Sequence, residues 1–143
     1  MKKTLVAAAS LGLVMCLWVA GGCAAGRDTA RTGTSRQAFP RELDDPNNYR
    51  LLLTGQPQTC GMRSGRVRLA PGQSIGSHST KSNEELLVFL SGHGIARIGA
   101  DLRLQVGAGR VAYIPPQSEH DIVNTGTEPL VYVFCVAPVT NNR

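Results

Sequence analysis

From Arg50 onward the apolar residues of this 143-residue chain come in short runs. These are Leu51–Leu53, Val67–Leu69, Leu86–Leu90, Ile95–Ile98, Leu102–Val106, Val111–Ile114 and Leu130–Val136. Turn formers separate them: Pro71-Gly72, Ser91-Gly92, Gly99, Gly107, Gly109, Pro115-Pro116, Thr125-Gly126 and Pro138. Polar and apolar residues alternate in Arg66-Val67-Arg68-Leu69 and in Leu102-Arg103-Leu104-Gln105-Val106. Successive side chains of a strand point to opposite faces, so a period of two marks a strand buried on one side. Many such runs at near-regular spacing, without a helical period, predict an all-β sandwich or barrel over residues 49–143. No internal repeat is visible.

Before this domain the pattern differs. Residues 24–48 are rich in Arg, Thr, Ser, Asp, Gly and Pro, and their few apolar members have no period. Such a stretch cannot bury enough to offset its ordering entropy and reads as a tether. Its latter part, around Phe39 and Leu43, could pack on the domain. Further upstream, Met1-Lys2-Lys3 precedes an uncharged segment from Leu5 to Ala20 that ends in Gly21-Gly22-Cys23. A positive start, an apolar stretch and small residues before a cut describe a secretory signal over residues 1–22. Ala20-Gly21-Gly22-Cys23 resembles the lipobox of bacterial lipoproteins, although alanine replaces the usual leucine. The resemblance makes Cys23 the lipidated first residue after cleavage. The chain is then held on a membrane of the cell envelope, facing the periplasm. Simple secretion and an uncleaved anchor helix are the alternatives.

Composition narrows the picture. Sixteen Gly, 8 Pro and 5% aromatic residues suit turns and short strands. The length allows one domain and excludes a multi-domain enzyme or a multi-span membrane protein. The net charge of +5 falls to +3 once Lys2 and Lys3 are removed with the leader, and nucleic acid is not an expected partner of an exported chain. Cys60 and Cys135 remain in a compartment that permits disulfides, either paired or as two separate thiols.

Two segments carry chemistry. Gly72 stands five residues before His78; Thr80 is two residues after that histidine, and Glu85 precedes Gly92 by six. Further on, Gly109 stands five residues before Pro115, and Gln117, His120 and Asn124 follow. These spacings resemble the two motifs of the cupin superfamily, in order and with a strand-rich region between them. The resemblance implies a double-stranded β-helix, or jelly-roll barrel, with a metal held by histidines and a glutamate. Two positions depart from the motifs: Thr80 replaces a ligand histidine and Gln117 a glycine. His78, Glu85 and His120 would remain as ligands, with Thr80 a weak ligand or a hydrogen-bond partner.

The same residues make sense by geometry. On a strand His78 and Thr80 share a face, while Glu85, Leu87 and Phe89 share the face opposite to Leu86, Val88 and Leu90. Two imidazoles and a carboxylate form a facial ligand set with open positions, suited to a divalent ion such as Fe, Mn, Zn or Ni. A metal-free barrel that binds a polar ligand is the alternative. His93 is expected in a turn, Tyr113 in packing, and Glu84, Glu119 and Asp121 in solvent. Arg66, Arg68, Arg97 and Arg103 read as a solvated strand face. An apolar outer face at Leu86, Val88 and Leu90 needs a cover, and a homodimer supplies one. The functional expectation is a lipid-anchored barrel that binds a metal or a small polar ligand. Its activity would be that of a metal-dependent enzyme of the dioxygenase or isomerase type; a sugar-binding module or a structural envelope protein would lack catalysis.

Overall fold

A computed structural model describes residues 37–139. The expected signal segment 1–22, the expected lipidation site Cys23 and the expected tether up to residue 36 lie outside the described residues. Nine strands follow one another: β1 Tyr49–Thr54, β2 Arg63–Leu69, β3 His78–Ser79, β4 Asn83–Ser91 and β5 His93–Ile98. They continue with β6 Leu102–Gly107, β7 Val111–Ile114, β8 Glu119–Asn124 and β9 Leu130–Pro138. Each expected apolar run seeds a strand. The two further strands, β3 and β8, carry His78 and His120.

The strands form two antiparallel sheets, one ordered β1-β2-β9-β4-β7 and the other β3-β8-β5-β6. Between them lies the core of Val67, Leu69, Leu87, Phe89, Ala96, Val106, Ala112, Ile114, Ile122, Leu130 and Tyr132. The alternation of β4 is as expected, with Glu85, Leu87 and Phe89 buried and Leu86 and Leu90 exposed. At the closed end, Asn124 is fully buried and used by backbone alone. Its Nδ2 donates to Leu69 O and Glu128 O, and its Oδ1 accepts from Gly126 N, which ties the end of β8 to β2 and to the loop leading into β9.

The arginine face departs from expectation at one position. Arg68, Arg97 and Arg103 are exposed, but Arg66 is only 5% exposed. The chain before β1 crosses it. One terminal nitrogen of Arg66 donates to Asp45 O at 2.6 Å and to Asn47 O at 2.8 Å. Arg50 adds a bond to Asp44 O and an ion pair with Asp45 at 3.2 Å. Two charged side chains thus turn the end of the expected tether into a strap over β1 and β2. Phe39 and Leu43 contribute little to it, each being 40% exposed. The paired-cysteine alternative is not formed. Cys60 is an exposed free thiol, whereas Cys135 is a half-buried free thiol on β9 with Sγ 3.5 Å from Ser64 Oγ.

Candidate metal centre

Antiparallel pairing of β3 with β8 sets His78 directly opposite His120. Their rings lie 4.3 Å apart, tilted by 55°. Glu85 comes from the other sheet, where β4 holds it opposite Val136 on one side and Ile114 on the other. The three side chains therefore meet across the barrel, and their ligand atoms all lie within 4.8 Å of one another. His120 and Glu85 are buried; His78 stands at the mouth.

The ring orientations are fixed by backbone carbonyls. His78 Nδ1 is 2.8 Å from Gly76 O, and His120 Nδ1 is 3.3 Å from Ser118 O. A carbonyl only accepts, so each Nδ1 is the N–H side of its ring, which leaves Nε2 as the ligating nitrogen in the neutral form. The Gly76 loop is itself anchored, since Asp121 Oδ1 accepts from Ser74 Oγ and Gly76 N. His120 Nε2 lies 3.1 Å from Glu85 Oε2. Burial by itself would lower the His120 pKa. The hydrogen bonds to Glu85 and Ser118 and the charges of Glu85 and Glu119 outweigh it and raise the pKa above 6.5.

Thr80 takes the hydrogen-bond role in this arrangement. Its hydroxyl donates to Pro115 O at 2.9 Å and accepts from Ser118 N at 3.0 Å. Beside it, Gln117 N donates to Lys81 O at 2.7 Å, with Lys81 and Gln117 both in the left-handed region at φ 51° and 62°. A glycine would meet no steric penalty at position 117; here a glutamine holds the same turn through its backbone bond. Thr80 thus clasps the turn between β3 and β4 to the turn between β7 and β8. Those turns join the strands that carry all three ligand residues.

The remaining expectations resolve simply. His93 is exposed at the start of β5, its ring over Gly126. Tyr113 is 56% exposed on the outer face, where its hydroxyl donates to Glu84 Oε2 at 3.2 Å, so it neither packs inside nor reaches the cavity. Glu119 is exposed, whereas Asp121 is half-buried as the anchor of the Gly76 loop.

The ligand residues open on a cavity of about 550 Å³ between the sheets. Among the lining residues that sequence reasoning missed are Arg63, Lys81 and Tyr132. Tyr132 was discoverable, because Leu130, Tyr132, Phe134 and Val136 share one period-two face of β9. Burial first, then the charges of Glu85 and Asp121, push its phenol well above the usual pKa of 10.

A cupin domain model matches residues 65–136, just over half of the chain. A protein of Methanocaldococcus jannaschii described only as uncharacterized is 33% identical over 68% of this chain and 71% of its own length. The tetracenomycin polyketide synthase protein TcmJ of Streptomyces glaucescens is 30% identical over 63% of this chain, which spans 60% of that relative's length. The crystal structure of an uncharacterized Klebsiella pneumoniae protein with a double-stranded β-helix domain superposes with a TM-score of 0.60 at 25% identity, covering 71% of this chain and 91% of that one. With two sheets closed into a jelly roll and a His-Glu-His group between them, this is a cupin-fold barrel with a candidate metal centre. The chain belongs to the cupin family.

Proposed function

We propose that this protein is an exported, lipid-anchored cupin that holds a divalent metal ion through His78, Glu85 and His120 and binds a small molecule beside it, with chemistry of the dioxygenase or isomerase type. The observation that carries the reading is the convergence of two oriented imidazoles and one carboxylate on a single point that opens on a cavity. The donor set fits Fe, Mn, Zn or Ni, because neutral imidazole suits each of them and the carboxylate offsets part of the charge. A bound ion would act as a Lewis acid toward a ligand oxygen. The chain itself orients the donors through Gly76 O, Ser118 O and the Thr80 clasp, and lines the cavity with apolar side chains that limit water.

Metal content decides this. Full-length protein purified in detergent after growth with Fe, Mn, Ni and Zn is expected to carry close to one ion per chain by plasma mass spectrometry. The His78→Ala/His120→Ala variant is expected to carry none. A folded wild-type protein that stays metal-free after reloading would sink the reading.

One observation favours a second reading, a metal-free ligand-binding barrel: Glu85 and His120 already satisfy each other at 3.1 Å, and Thr80 leaves three ligands where the family motif has four. In that case a ligand would stabilise the metal-free protein according to its concentration relative to Kd.

The anchor rests on Ala20-Gly21-Gly22-Cys23. A Cys23→Ala variant should incorporate no labelled palmitate and lose its membrane fractionation; labelling equal to wild type would refute lipidation at Cys23. A homodimer is supported by the outer face of β4 and β7, where Leu86, Leu90, Val111 and Tyr113 are exposed, Val111 to 66%. A Val111→Glu substitution buried in that interface should shift the protein to monomer in light scattering. A wild-type protein that is already monomeric would exclude the dimer.

A further inference from the structure

The register of the larger sheet places a cation in the same inner layer as the metal-site carboxylate. Val136 pairs with Glu85 on one side and with Arg63 on the other. Arg63 and Glu85 are thus two strands apart on the inward face, about 10 Å between backbones at ordinary strand spacing. Arg63 shares its face with Gly65, Val67 and Leu69, of which Val67 and Leu69 belong to the core. Lys81 approaches the same cavity from the turn before β4. Asp45 pairs with Arg50, Asp121 with Arg97, and Glu84 accepts from Tyr113; no described residue pairs with Arg63 or Lys81. Among the described residues, Glu85 is the only carboxylate lining this cavity, and it faces His120. The lip of the cavity therefore holds two uncompensated positive charges.

Between the lip and the metal group the wall is aromatic and aliphatic. Tyr49 and Phe134 stack at 6.2 Å, and the Phe134 ring lies over Gly65, where a Cβ would come within 2.7 Å of it. Gly65 therefore lets the ring lie flat against β2 as a wall rather than project into the cavity. Leu51, Leu87 and Val136 extend this surface. Deeper in, Tyr132 is 3% exposed, and its hydroxyl has no hydrogen-bond partner among the described residues. It is not sealed either, since Arg66 Nε is the one sealed, unpartnered side-chain atom among them. The phenol opens on the cavity and leaves a donor for a ligand oxygen.

We propose that the ligand is a small carboxylate with a flat apolar body. Its carboxylate pairs with Arg63 and Lys81 at the lip, its body lies along Tyr49, Leu51 and Phe134, and its inner end reaches Tyr132 and the metal group. This deepens the ligand-binding reading above and rests on it. A neutral polyol such as a sugar leaves both cations unpaired. An anion without an apolar body gains nothing from the cavity beyond the lip.

Calorimetric titration of full-length, metal-stripped protein with 2-naphthoate, its uncharged analogue 2-naphthamide, and acetate tests this. Stripping the metal keeps a carboxylate from gaining affinity through the ion. Naphthoate is expected to bind about tenfold more tightly than naphthamide, the scale of two partly exposed ion pairs. Acetate is expected to show no measurable heat. In the Arg63→Gln/Lys81→Gln variant the two naphthyl probes should bind alike, while Arg63→Lys alone should keep the preference. Both variants leave the metal ligands intact, and circular dichroism of parallel samples reports that they are folded. Equal binding of naphthoate and naphthamide to wild type overturns the proposal. So does a preference that survives in the double variant, or failure of both naphthyl probes to bind. The metal reading fails separately: a wild-type protein that prefers naphthoate yet takes up no metal keeps the lip and loses the ion. One that takes up metal but shows no preference does the reverse.

Discussion

Replacing Gly94 by alanine is expected to destabilise the fold by at least about 3 kcal/mol, the upper end of what overpacking usually costs. Gly94 lies in β5, paired with Asn124 of β8. A Cβ built there would sit 2.2 Å from Val123 O and 2.8 Å from Leu130 Cδ2. The first obstacle is backbone and cannot rotate away, so β8 itself must shift. That strand carries His120, and it is tied at its far end by the buried Asn124, which leaves little room to move. Urea denaturation should show the loss, and metal affinity should fall with it because β8 positions His120. Gly72→Ala is the informative contrast. Nothing lies within 4 Å of a Cβ there, but φ is +78°, so only the left-handed penalty of about 1–2 kcal/mol applies. If Gly94→Ala unfolds within 1 kcal/mol of wild type, the close approach of β5 to β8 is wrong.

Much of this architecture could be read from the chain because its signals are local. Period-two alternation assigned the inner and outer faces of β4, and motif spacing chose Glu85 over Glu84, which the structure places outward against Tyr113. The spacing also brought forward His120, which meets His78 only through pairing of strands about forty residues apart in sequence. What stayed hidden depends on segments with no period of their own. Arg66 looks like any solvent-facing member of an alternating strand; its burial is decided by carbonyls of Asp45 and Asn47, about twenty residues upstream.

Thr80 shows the opposite limit. Its position in the motif was legible, but the motif describes only what a histidine does there. A hydroxyl one bond from Cβ is short enough to bond the adjacent turn, so the residue changes from ligand to clasp. Arg63 escaped notice because it precedes the apolar run of β2 and looks like a flanking charge. Only the pairing of β2 with β9 shows that it lies in the same layer as Glu85.

Metal binding should weaken as pH falls, beginning above the pH at which a free imidazole would begin to compete. A ligating Nε2 must be deprotonated, so the ion displaces a proton from His120, whose pKa lies above 6.5 in the folded protein. Below that raised value, apparent affinity should fall about tenfold per pH unit on account of this residue alone. The metal-free protein should show the reverse trend from the same group. Its His120–Glu85 interaction contributes stability that is fully present below the unfolded value of 6.5 and is lost as pH rises through the raised folded value. The increase in melting temperature on adding metal should therefore grow from about pH 5 to 8. Thermal melts with excess metal and with chelator measure both arms. His120→Ala should lower metal affinity by on the order of 100-fold or more, since loss of an outer-shell partner alone costs 10–100-fold. It should also remove this residue's part of the pH trend in the metal-free protein, leaving Glu85 buried without its partner. Metal stabilisation that is flat across this range, or largest at its acid end, would place the ion away from His120.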